Sequence, residues 1–122
     1  MKTNKPIDVF ETLLIDIYDA SLQLKDELPK FAENTKNAQL SATFQKNLRE
    51  TEAQIERLEK VIEIMDLKKR DHTCEAMKGF IEEAHTMSSG SEEGPVRDLG
   101  LVAYGKKIGH YQIASYEVLA NL

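Results

Sequence analysis

Inward-facing residues near the N-terminus recur in steps of three and four without a break: Ile7, Phe10, Leu14, Ile17, Ser21, Leu24, Leu28. That spacing holds one seam of an α-helix against a partner helix. It does not suit a strand, whose side chains alternate with a period of two. Two further segments repeat it: Phe44, Leu48, Thr51, Ile55, Leu58, Ile62, Met65, and Leu101, Tyr104, Ile108, Tyr111, Ser115, Val118, Leu122. The chain therefore reads as all-α, with its core where the three seams meet. Ser21 stands on the first seam, where a bundle favours an aliphatic side chain. A hydroxyl there is either a tolerated core group or part of a polar site inside a bundle.

Start and stop signals set the elements. The first helix is expected over about Ile7 to Leu28, capped by Asn4 or Thr3, with Pro6 in its first turn. Pro29 should end or kink it, and Lys30 to Ala32 can continue after the kink. Asn37 is placed to cap a long second helix, Ala38 to Asp66, and Leu67 to Asp71 makes a charged connection. A short helix from His72 to Met87 presents Cys74, Met77, Ile81 and Ala84. Ser88 to Pro95 is a loop, and a last helix begins at Pro95. Gly100, Gly105 and Gly109 lie within it, each at a cost of roughly 1 kcal/mol against alanine. Gly105 and Gly109 are one turn apart, which permits a close backbone approach or marks a relaxed position.

At 122 residues this is one domain, residues 1–122. Sixteen basic against 21 acidic residues give a net charge of −5, and the absence of a basic patch argues against nucleic-acid binding. No apolar run is long enough to span a membrane. The opening MKTNKPIDVFET lacks the apolar core of a secretion signal. A single cysteine, Cys74, excludes an internal disulfide. A cytoplasmic protein is expected.

Three long helices and one short one leave an edge. Three helices can close a core alone, but with four-helix geometry one side stays open and apolar, to be covered by a second chain or the short helix. A homodimer is expected, with its interface on the exposed side of the first and last helices. A charged residue in place of Ile108 should then dissociate the dimer or unfold the chain.

A polar stripe, Asn47, Glu50, Gln54, Arg57, runs beside the second seam, and Gly109 and Gln112 are three apart on the last helix, with His110 between them. Di-metal bundles place inward carboxylates on two helices and carboxylate–histidine pairs at i, i+3 on two others. Ser21, Asn47/Glu50 and Gly109/Gln112 have that geometry and mostly lack its ligand chemistry.

Four stretches carry a resemblance: LIDIYDASLQLKDELPK (14–30), LRETEAQIERL (48–58), CEAMKGFIEE (74–83) and VRDLGLVAYGKKIGHYQIASYEVL (96–119). They are similar to the YciF-like bacterial stress-protein family. The resemblance implies a ferritin-like antiparallel bundle, often dimeric, with a proposed di-metal site and no assigned activity. It also implies departures. The family usually has glutamate at Ser21, often histidine at Asn47, and Glu-His-Tyr-Glu where this chain has Gly109-His110-Tyr111-Gln112. It also continues past the equivalent of Leu122 into another long helix. Only Glu50 keeps a carboxylate at a ligand-like position.

Two functional readings follow. In the favoured one the chain is a non-catalytic, dimeric structural or interaction protein without a cofactor. Its interior polar groups, Ser21, Asn47, Gln54 and Gln112, then hydrogen-bond one another. In the alternative it is a di-iron-type oxidoreductase or iron-handling protein. Glu50 and His110 would be the surviving ligands for iron or another divalent metal, helped by acidic residues such as Asp19 or Glu82 or by a second subunit. A weaker reading makes the polar stripe the lining of a small-molecule cavity. Cys74 reads as an inert buried thiol, His72 and His85 as surface residues, and Glu50 with Arg57 as a flank ion pair of little weight. The four tyrosines read as interior or interface aromatics.

Overall fold

A computed structural model describes residues 5–68 and 71–122. It comprises α1 (Pro6–Glu33), α2 (Ala38–Ile64), α3 (Glu75–Ser89) and α4 (Pro95–Asn121), with no strand among the described residues. Asn4, Thr3, Lys69 and Arg70 lie outside them. At the start of α1 the Lys5 backbone N–H donates to Asp8 Oδ2 at 3.1 Å.

Pro29 neither ends nor breaks α1, which runs on to Glu33. A proline inside a helix costs about 3 kcal/mol or more. Here Leu28, Phe31 and Ala32 are all buried around it while Pro29 faces solvent, and their burial offsets the lost backbone bond. Asn37 caps α2 as expected, its side chain accepting from Leu40 N at 3.0 Å. The short helix begins three residues later than its pattern implied, because Cys74 is its N-cap.

α1 is the central element: α2, α3 and α4 all pack on it, and α3 also packs on α4. α2 returns antiparallel through the turn at 34–37. Thr35 Oγ1 donates to Asp98 at 2.5 Å near the foot of α4, while Tyr111 meets Asp16 towards the other end, so α4 is antiparallel to α1 and parallel to α2. α2 and α4 make at most marginal contact. The helices thus form three walls of a four-helix bundle, with a slot between α2 and α4. The core holds Leu14, Ile17, Leu24 and Leu28 of α1, Phe44, Leu58 and Ile62 of α2, Met77 and Ala84 of α3, and Leu101 and Ile108 of α4.

The first seam frays at its start and the last at its end, with Ile7 47 % and Leu122 59 % exposed. Ile108 is not an edge residue; at 3 % exposure it belongs to the core. The open side lies between α2 and α4 because α1 is already enclosed by the other three helices. Close approach in α4 falls at Gly100, where a Cβ would meet Met87 Sδ at 2.2 Å, and at Gly105, against the Phe44 ring at 3.4 Å. Gly109 faces open space.

Candidate functional site

The slot between α2 and α4 holds a cavity of about 460 Å³. Leu24, Leu28 and Phe31 of α1, Phe44 of α2 and Ile108 of α4 supply apolar lining. Asn47, Glu50, Thr51 and Gln54 line it from α2, and Gly105, Gly109, Gln112, Ile113, Tyr116 and Glu117 from α4. The i, i+3 and i, i+4 steps of the polar stripe put Asn47, Glu50 and Gln54 on one face of α2. The tertiary structure sets that face opposite Gly109 and Gln112.

The interior polar groups do not bond one another. Ser21, 1 % exposed, gives its hydroxyl to Ile17 O at 2.8 Å and lies 3.4 Å from the Tyr116 hydroxyl. The Asn47, Gln54 and Gln112 amides make no hydrogen bond to another described residue; they are half-buried and turned to the cavity. Glu50 pairs with Lys46, one turn away on α2, at 3.9 Å rather than with Arg57. His110 is exposed and is not part of the cavity lining.

This donor set does not fit a pair of divalent ions. Such ions take hard oxygen and imidazole ligands. The lining offers two carboxylates, Glu50 and Glu117, no histidine, and neutral amides at the intervening positions. Among the described residues, no group of three or more His, Cys, Asp or Glu side chains is placed to hold a metal.

A second cluster lies where the start of α3 meets α1 and α4. Cys74 Sγ and the Tyr111 hydroxyl are 3.1 Å apart, and each reaches Asp16 Oδ2, at 3.5 and 3.2 Å. His72 Nε2 bonds Asp16 Oδ1 at 2.7 Å. Asp19, one turn on, accepts the Cys74 backbone N–H at 2.6 Å and the Gln23 side chain at 2.7 Å, capping α3 from another helix. His85, within α3, joins Glu27 at 2.7 Å, so this residue and His72 just before the helix both tie α3 to α1. They are not merely surface residues. No sequence pattern joined these residues; Asp16 and Asp19 simply stand one turn apart beside the first seam.

Burial pushes the Cys74 thiol up, outweighing the Tyr111 hydrogen bond that favours the thiolate. Burial likewise raises the Tyr111 phenol, reinforced by Cys74 and Asp16, and raises Tyr116 against the opposing effects of Ser21 and Arg57. A poorly ionised thiol is a weak nucleophile, so the cluster is built to fasten α3. All three groups are raised in the folded chain, so the stability they contribute is present at neutral pH and is lost as pH climbs through their folded values. Denaturant unfolding should show stability falling through about pH 8.5, where an unfolded cysteine is half ionised. In Cys74→Ala the fall should begin only near the tyrosine range, about pH 10. A flat profile across that span in the natural sequence would contradict the assignment.

The fold and cavity define a ferritin-like helical bundle with an amide-lined interior. Residues 5–122 match the family described as Domain of unknown function (DUF892), and the chain belongs to that family. It is 46 % identical over 116 residues to Protein YciF of Escherichia coli K12, covering 94 % of this chain and 70 % of that protein. The crystal structure of the Escherichia coli stress protein YciF superposes with a TM-score of 0.91 at 43 % identity, over 98 % of this chain and 76 % of that one. YcfI of Rhodopseudomonas palustris matches at a TM-score of 0.87 and 34 % identity, over 97 % of this chain and 78 % of that one. No described helix is long and apolar enough to cross a membrane.

Proposed function

We propose that this chain is a non-catalytic, dimeric structural or interaction protein of the YciF type, cytoplasmic and stress-associated, whose ancestral metal site has lost its ligands. The observation that carries this reading is the cavity lining, where Asn47, Gly109 and Gln112 stand at ligand positions the family resemblance implies and Glu50 alone of those keeps a carboxylate. The stress association rests on the name of the Escherichia coli relative. The structural role agrees with the name of the Rhodopseudomonas neighbour. A dimer surface is offered by the first turns of α4, where Val96, Leu99 and Val102 are 76, 71 and 37 % exposed. Apolar side chains clustered this way on a small chain favour a self-association contact.

The metal-dependent reading, an iron-handling or di-iron-type oxidoreductase function, retains one supporting observation. Glu50 and Glu117 both line the cavity and give it two oxygen donors.

Native mass spectrometry after anaerobic loading with ferrous iron tests both. The expected result is a dimer carrying close to no iron, reduced to monomer by Leu99→Asp. About two irons per chain, removed by Glu50→Ala, would overturn the non-catalytic reading. A monomer in the natural sequence would overturn the dimer.

A further inference from the structure

We draw no further inference here: the strongest candidate, the side-chain cluster of Cys74, Tyr111, Asp16 and His72 where the start of α3 meets α1 and α4, rests on a lone buried cysteine whose side-chain contacts stay within that cluster, and nothing among the described residues points to a ligand there.

Discussion

Leu101→Asp is expected to unfold the chain. Leu101 is 1 % exposed, the first residue of the α4 seam, and belongs to neither the α2–α4 cavity nor its rim. A carboxylate there would lose its water without a partner, and the leucine's own packing would be lost with it. Together these effects exceed about 4 kcal/mol, a large part of the stability of a domain this size. Circular dichroism at 25 °C should show loss of helix. A folded variant with an ordinary melting transition would mean that α4 does not pack on α1 as described. Leu99→Asp, two residues away and 71 % exposed, should change only the assembly. The contrast between these two substitutions tests the rotation of α4 about its own axis.

Asp16→Ala should be the most damaging polar substitution. It removes the acceptor shared by Cys74, Tyr111 and His72, at 3.5, 3.2 and 2.7 Å. Hydrogen bonds to a charged group contribute about 1.5–3 kcal/mol each, and a donor left buried costs more than one returned to water. Asp16 and His72 are partly exposed, with side chains 30 and 38 % accessible, so solvent screening reduces their share. We expect a net loss of about 2–3 kcal/mol in denaturant unfolding. Amide exchange should accelerate first in the opening turns of α3, which Asp16 fastens to α1. Loss of protection spread evenly over all four helices would show instead that α3 has no separate anchor.

The backbone architecture was legible because each long helix carries its own seam. The run from Leu14 to Leu28, interrupted only by Ser21, specifies a buried helix face whatever surrounds it. The capping residue Asn37 and Pro95 marked the starts of α2 and α4 correctly for the same local reason, while α3 runs two residues into the expected loop, to Ser89. Pro29 misled because its cost is local while its compensation is not: Leu28, Phe31 and Ala32 are buried by other helices. Ile108 misled in the opposite sense. Its place on a seam was evident, but whether that seam faced α1 or a second chain depended on the rotation of α4, whose apolar residues lie on more than one face.

The polar stripe on α2 and the glycine–glutamine pair on α4 were each visible as a spacing. That they would face one another across an open slot, with their amides unpartnered, required α2 and α4 both to pack on α1 and scarcely on each other. The Cys74 cluster was less legible still. Asp16, His72, Cys74 and Tyr111 come from three separate stretches of chain, and neither Cys74 nor His72 sits in a pattern that points to the others.

By itself the sequence determined that this protein is helical, where most of its helices begin and end, and which faces seek burial. These properties follow from periodicity and end chemistry within a few turns of chain. The tertiary structure alone decided which helix lies at the centre, which edge stays open, and which polar groups meet. Those outcomes depend on how helices rotate and pack against one another, and contacts between residues as distant as Asp16 and Tyr111 leave no trace in local spacing.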